Sequence, residues 1–228
     1  MTFLGFDAIP DPILVIGLGG TGVTALSKVK NAVYRRFNLP RDSANGHYKD
    51  KPENIEYLGL DPDEHIVYDD DKNSGRSIEL NTSTEFLRIC TPAVPRMLAN
   101  RAGLPRTITD WLSPNLSPND FDQGANGIRQ MGRLALFLRI TDVVNMIERK
   151  LNSVLQGKKG NLYVFILSGV SGGTGGGTFI DIPYIVRCVA QQLGALDRLK
   201  TIGYLFLPDC KYEGKQSGLC PIQWLCRL

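Results

Sequence analysis

The fold of this chain is decided by the stretch that runs from Leu162–Leu167 into Ser171-Gly172-Gly173-Thr174-Gly175-Gly176-Gly177-Thr178. The first part is a short apolar run, typical of a strand that is buried on both faces. The second part, here named the second glycine loop, precedes apolar spacing that predicts a helix from about Phe179 to Leu193. Glycine lets a bulky anion approach the backbone, and the N–H groups that begin a helix have no intrahelical partner. The stretch therefore predicts a phosphate-binding turn between a strand and a helix.

A similar arrangement lies near the N-terminus. The apolar run Ile13–Ile16 precedes Gly17-Leu18-Gly19-Gly20-Thr21-Gly22, the first glycine loop, and a helix is expected over about Thr21–Phe37. Alone, the first loop fits the G-x-G-x-x-G of a dinucleotide-binding domain, the ATP-binding loop of adenylating enzymes, or a turn that only permits close packing. The second loop is more specific, because its five glycines cost chain entropy and no packing need for that density is expected. Neither loop contains the G-K-[ST] of a Walker P-loop.

The rest of the chain alternates between strand and helix patterns. Strands are predicted at Ile55–Leu60 and Thr201–Leu207, and helices at Thr84–Asn100 and Gln130–Leu155. Pro92 and Pro95 are expected to kink or interrupt the first of these helices. The resulting order predicts an α/β fold, a Rossmann-like and mostly parallel sheet with helices on both faces. In such a sheet, the glycine loops meet at the carboxyl ends of the strands.

Composition excludes several classes of protein. The 228 residues are 43% hydrophobic and 21% charged, which is ordinary for a globular protein and excludes a disordered chain, a coiled coil or a fibre. A net charge of +3 is too small to indicate nucleic acid as a partner. No apolar run approaches the ~20 residues that span a membrane. The five cysteines form no C-x-x-C pair, which favours free thiols in a reducing cytoplasm over disulfides or zinc.

The second glycine loop resembles the signature of the tubulin/FtsZ superfamily, which runs small-Gly-Gly-Thr-Gly-Ser/Ala/Thr-Gly, with Gly176 as the one departure. Three weaker motifs follow the family's order. Gly19–Thr24 is similar to its first nucleotide loop, Leu60–Asp63 to its second, and Gln123–Gly127 to the third, which covers the γ-phosphate. The run from Arg129 to Ala135 most resembles divergent bacterial tubulin-like proteins. Because the resemblance spans about residues 10–215, we expect such a domain over residues 1–215 and an atypical tail over 216–228.

The resemblance implies binding of GTP or GDP with Mg²⁺, in a bacterial, cytoplasmic protein that forms filaments or assemblies. Its implied partners are a guanine nucleotide and a head-to-tail neighbour, either a second copy or a full-length homologue. Asp61 and Asp63 would orient Mg²⁺ through water, although a turn that caps a helix explains them nearly as well. The nucleotide-binding residues implied by the resemblance are Gly19, Gly20, Thr21, Gly22, Thr24, Gly124, Ala125, Asn126, Gly127, Gly172, Gly173, Thr174, Gly175, Gly176 and Gly177.

Other members of the family continue with a guanine-binding helix, a long central helix and a second domain. An acidic loop before the central helix enters the neighbour's site and completes GTP hydrolysis. The present sequence shows no such loop, so we expect GTP binding with very slow hydrolysis, and a truncated or frame-shifted product is suspected. Two alternatives stay open: a nicotinamide-dependent oxidoreductase that uses only the first glycine loop, and an interaction module that binds no nucleotide.

Overall fold

The computed structural model describes residues 11–37, 52–63, 80–89, 93–117 and 125–208. Within them, parallel strands form one five-stranded sheet in the order β3-β2-β1-β4-β5. The strands are β1 (Ile13–Leu18), β2 (Ile55–Asp61), β3 (Phe86–Arg88), β4 (Leu162–Gly169) and β5 (Leu199–Phe206). The helices are α1 (Gly19–Arg36), α2 (Ala93–Ala99), α3 (Arg106–Thr109), α4 (Arg129–Leu138), α5 (Ile140–Leu155), α6 (Gly173–Thr178) and α7 (Asp181–Gln192), with 3₁₀ turns at Arg101–Gly103 and Leu196–Arg198.

Helices cover both faces of the sheet. Successive residues of a strand point to opposite faces, and β1 shows the consequence. Val15 packs with Val23 and Leu26 of α1 in one buried cluster. Leu14 and Ile16 join a larger buried cluster that includes residues of α4, α5 and α7. The predicted α/β fold with helices on both faces is therefore confirmed.

The strand register brings the ends of three strands to one edge of the sheet. Leu18, the last residue of β1, is level with Leu60 in β2 and with Ser168 in β4. Because parallel strands run in the same direction, the turns that follow them share this edge. The residues that come next are Gly19 after β1 and Asp61 at the end of β2. The register thus gathers the predicted site elements.

The predicted helix over Gln130–Leu155 is two helices, α4 and α5, which meet at Arg139. The backbone of Arg139 leaves the helical region, with φ −115° and ψ 21°. The Arg139 N–H donates a hydrogen bond of 3.1 Å to the Leu136 carbonyl oxygen, three residues back, so the α-helical pattern is interrupted there.

The predicted helix over Thr84–Asn100 is wrong in its first half. Phe86–Arg88 forms the edge strand β3, which pairs with β2 from Gly59 to Asp61. Helix α2 begins only at Ala93 and carries Pro95 in its first turn, where the missing N–H costs least. The second glycine loop also differs from the expected irregular turn, because most of it forms the short helix α6.

Strand β5 lies at the edge of the sheet, and its residues from Lys200 to Phe206 are exposed. Tyr204 and Phe206 are 52% and 39% exposed. With Phe165 and Leu167 of β4, they border an apolar groove of about 410 Å³ on the α1 face. An exposed apolar edge of this kind is prone to pairing with another strand.

Some predictions fall outside the described residues, namely those on Gly124, on the tail over 216–228 and on four of the five cysteines. Cys188 is the described cysteine, and its thiol is free and exposed. Among the described helices, none combines the length and the apolar character that crossing a membrane requires.

Candidate functional site

A pocket of about 150 Å³ lies at the edge of the sheet where β1 and β4 end. It brings together parts of both glycine loops and of the turn before α4. None of the described residues that line it has a charged side chain, so an occupant would meet backbone, hydroxyl and amide groups. The lining consists of Leu18, Gly19, Gly20, Thr21, Ala125, Asn126, Gly127, Gly169, Gly172, Gly173, Thr174 and Gly175.

Two helices begin at this pocket, α1 at Gly19 and α6 at Gly173. Neither helix start is capped by a side-chain hydrogen bond, and neither first turn contains an acidic residue. The first N–H groups of a helix have no partner inside the helix and carry partial positive charge. Both helix starts therefore leave backbone donors available for an anion.

The third contribution is the tight turn Ala125–Ile128. The Ile128 N–H donates a hydrogen bond of 2.7 Å to the Ala125 carbonyl oxygen. Between them, Asn126 and Gly127 have φ values of 45° and 75°. Positive φ at both central positions is typical of a mirror-image turn and favours Asn and Gly there. This turn places Asn126 on the pocket, where the sequence predicted the third nucleotide loop.

Most glycines of the second loop are required by packing. A Cβ atom on Gly173 would lie 2.7 Å from the Ile128 nitrogen, and one on Gly175 would lie 2.7 Å from the Gly169 carbonyl oxygen. A Cβ atom on Gly177 would overlap the carbonyl oxygen of residue 129 at the start of α4. The expectation that packing does not require this density of glycine is therefore wrong. The backbones of α6, α4 and β4 approach more closely than side chains permit.

Gly172 differs from the other glycines of the second loop. A Cβ atom at Gly172 would meet no heavy atom within 4 Å, although the residue lines the pocket. Its φ of −78° and ψ of 153° are extended and suit any residue. Neither packing nor backbone conformation explains a glycine here, which leaves access to the pocket as the reason.

Thr174 contributes the one buried hydroxyl side chain of the pocket lining. Its side chain is only 7% exposed. The Thr178 hydroxyl donates a hydrogen bond of 2.8 Å to the Thr174 carbonyl oxygen, so that this carbonyl already has a hydrogen-bond partner within α6. The Thr174 hydroxyl itself makes no hydrogen bond to the other described residues. The hydroxyl is therefore available to a ligand.

Four of the residues predicted to bind nucleotide do not line this pocket. Gly22 is buried and lets α1 pack against the backbone of β4. Thr24 is exposed further along α1. Gly176 and Gly177 face Arg129 of α4 rather than the pocket. The remaining described residues of the predicted set are gathered in one place.

The predicted metal ligands lie at the end of β2 and also do not line the pocket. Asp61 is 5% exposed, and its Oδ1 accepts a hydrogen bond of 2.7 Å from the Asp63 N–H. Burial raises the pKa of Asp61 to about 6, although that hydrogen bond opposes the shift. The part of the chain that the structure describes contains no group of three or more His, Cys, Asp or Glu residues that could hold a metal ion. The geometry favours a self-capped turn, and the role in Mg²⁺ binding stays a prediction.

The pocket also contains residues that the sequence analysis did not assign. Leu18 and Gly169 end the strands β1 and β4, and both contribute to the lining. A glycine at the last position of a buried strand was the available signal for Gly169. Arg129 was predicted only as part of the run that resembles bacterial tubulin-like proteins. Its Nη2 donates a hydrogen bond of 3.1 Å to the Val170 carbonyl oxygen beside the pocket.

Comparison with known proteins gives the family. A family model described as "Tubulin like" matches residues 14–219. Among solved structures, the chain is similar to CetZ1 from Haloferax volcanii, a GDP-bound monomer, at 13% identity and a TM-score of 0.45. The match covers 89% of this chain and 43% of that one, so the chain spans less than half the length of CetZ1. No curated protein matches at a significant level. Because the family model covers most of its length, this chain belongs to the tubulin-like family.

Proposed function

We propose that this chain binds a nucleotide, with the phosphates in the pocket between the two glycine loops and the Ala125–Ile128 turn. The observation that carries the proposal is the meeting of two uncapped helix starts in one uncharged pocket. Unpartnered backbone N–H groups at helix starts bind phosphate without any cationic side chain. The open space at Gly172 supports the same assignment, because a phosphate there can contact the backbone.

The size of the pocket supports a role in holding the phosphates rather than the whole nucleotide. Its volume is about 150 Å³, whereas pockets that enclose a drug-sized molecule measure roughly 300–1,000 Å³. The base and ribose would then extend beyond the described lining. We propose a guanine base, and the support for it is membership of the tubulin-like family.

We propose that Mg²⁺ enters with the nucleotide phosphates. Asp61 is poorly suited to contact it, because the residue is buried and one of its carboxylate oxygens accepts a hydrogen bond from the Asp63 N–H. Asp63 is exposed at the same strand end and could contact the ion through water. An Asp63→Asn variant should then bind GTP with a weaker dependence on Mg²⁺, while Asp61→Asn should not.

The finer parts of the proposal concern activity and assembly. We propose that residues 1–215 form the nucleotide-binding domain of a bacterial, cytoplasmic protein that associates head to tail. The described lining of the pocket contains no carboxylate or histidine that could orient water, which supports very slow hydrolysis by this chain. GTP turnover that rises with protein concentration would show that a neighbouring subunit supplies those groups.

Calorimetric titration with GTP, GDP, ATP, NADH and pyrophosphate tests the proposal. GTP and GDP should bind, pyrophosphate should compete with both, and ATP and NADH should bind more weakly. Tight binding of NADH without GTP would favour the dinucleotide alternative. Binding of none of these ligands would favour an interaction module and would contradict the proposal.

A further inference from the structure

We propose that Arg129 is a positioning residue that fixes the turn between β4 and α6, so that its backbone N–H groups face a bound phosphate. This inference rests on the proposed function. Arg129 begins α4 and directly follows the Ala125–Ile128 turn, which lines the pocket. Its Nη2 donates a hydrogen bond of 3.1 Å to the carbonyl oxygen of Val170. One side chain thus connects two of the three segments that form the pocket.

The turn that Arg129 contacts has few other restraints. Ser171 and Gly172 are exposed, and Gly172 has open space where a side chain would be. The Val170 N–H donates a hydrogen bond of 3.1 Å to the Phe206 carbonyl oxygen, which holds the start of the turn against β5. The hydrogen bond from Arg129 holds the other side of the same residue, its carbonyl. Together they hold the two peptide groups on either side of Val170, from which the chain runs through Ser171 to Gly172.

The stem of Arg129 has a separate packing role. A Cβ atom on Gly176 would lie 3.1 Å from the Arg129 Nε and 3.5 Å from its Cδ. The stem therefore crosses α6 in space that a glycine leaves open. Methionine has an unbranched side chain that can keep this packing while it removes the guanidinium group. The Arg129→Met variant separates the two roles.

The guanidinium also places a positive charge close to a pocket whose described lining is uncharged. Attraction between an exposed cation and a phosphate weakens at high ionic strength. A hydrogen bond that fixes the turn does not depend on salt in this way. The salt dependence of binding therefore separates positioning from simple attraction.

The test measures the dissociation constants of GTP and pyrophosphate for the full chain at low and high ionic strength. Arg129→Met should weaken both by about tenfold at either ionic strength, since a lost hydrogen bond to a charged group is worth at least that much. Arg129→Lys should lose less, and added methylguanidinium should partly restore binding to Arg129→Met. Arg149→Met is the matched control, because the Arg149 Nε bonds a carbonyl of its own helix, that of Asn145.

The outcomes distinguish this inference from the proposed function. A parent chain that binds neither GTP nor pyrophosphate overturns both proposals. A parent that binds, with a folded Arg129→Met variant that binds equally well, overturns only the role of Arg129. The positioning role is also overturned if the loss disappears at high ionic strength or if methylguanidinium restores nothing.

Discussion

Helices α1 and α6 begin beside each other at the ends of β1 and β4, but their glycines serve different purposes. Gly19, which begins α1, has a φ of 69°, and a Cβ atom there would lie 2.7 Å from the Gly175 nitrogen. In α6, the glycines have ordinary φ values, and they are required because neighbouring backbone lies against them, from the turn before α4 at Gly173, from β4 at Gly175 and from α4 at Gly177. Among the glycines of the second loop, only Gly172 has open space. The glycine-rich sequence of the second loop therefore marks close backbone approach, and Gly172 is the one pocket-lining glycine in it that packing does not require.

The largest expected effect comes from adding one methyl group at Gly177. The new Cβ atom would overlap the carbonyl oxygen of Arg129, and this clash can be relieved only if the backbone of α4 or α6 shifts. Gly177→Ala should lower the free energy of unfolding by about 3 kcal/mol, at the upper end of what overpacking costs. Gly172→Ala should change it by less than about 0.5 kcal/mol. Urea denaturation of both variants measures this, and equal losses would contradict the division of the loop.

Strand β2 differs from β1 and β4, because it ends in the buried carboxyl group of Asp61 and no glycine loop follows it. Because burial raises the folded-state pKa of Asp61 from 3.8 to about 6, the folded chain binds more protons than the unfolded chain between these pH values. The stabilisation from this group is complete below about pH 4 and is lost as the pH rises through 6. The loss is up to ~3 kcal/mol.

The Asp61→Asn variant keeps an oxygen that can accept from the Asp63 N–H but does not titrate. Its free energy of unfolding should lack the decline between pH 4 and 6 that the parent shows. Urea denaturation across this range measures the difference. If both proteins show the same pH profile, the carboxyl of Asp61 is ionised in the folded chain at low pH and the buried-acid account is wrong.

A smaller loss of stability is expected at Gly19, where strain combines with a close approach. Alanine in the left-handed region costs roughly 1–2 kcal/mol, and its Cβ atom would press on Gly175. Since both residues line the pocket, Gly19→Ala should also weaken GTP binding at least tenfold. Gly157→Ala is the control, because Gly157 has a φ of 69° with open space and lies after α5. A variant at Gly19 that loses stability but binds GTP normally would remove the first loop from the site.

The smallest effect is expected from Thr174→Ala, which removes one hydroxyl from the pocket and leaves the backbone unchanged. A single hydrogen bond is worth about 0.5–1.5 kcal/mol, so GTP binding should weaken by roughly threefold to tenfold. Thermal unfolding should change little, because that hydroxyl makes no hydrogen bond to the other described residues. A loss as large as that of Gly19→Ala would show that Thr174 shapes the loop as well as contacting the ligand.

The sequence was sufficient to predict the parallel sheet and the meeting of the glycine loops. Apolar runs such as Leu162–Leu167, and the glycines that follow them, predict a strand and a turn from the local sequence alone. The break at Arg139 was not predictable, because no glycine or proline stands there in the sequence to mark it. The packing of Gly177 on Arg129 was also hidden, since it joins residues far apart in the chain. The distinction between Gly172 and the glycines that packing requires needed the structure.

The most direct test of the central claim is GTP binding by Gly172→Val, with Gly103→Val as the control. Both glycines are exposed, and at neither would a Cβ atom meet any atom closer than 4.0 Å, so both variants should fold. Of these two glycines, Gly172 lines the pocket and Gly103 does not. A valine side chain at Gly172 would occupy space that a phosphate needs. The account predicts that Gly172→Val loses GTP and pyrophosphate binding while Gly103→Val binds like the parent. A folded Gly172→Val variant that binds GTP as tightly as the parent would contradict the assignment of this pocket to phosphate.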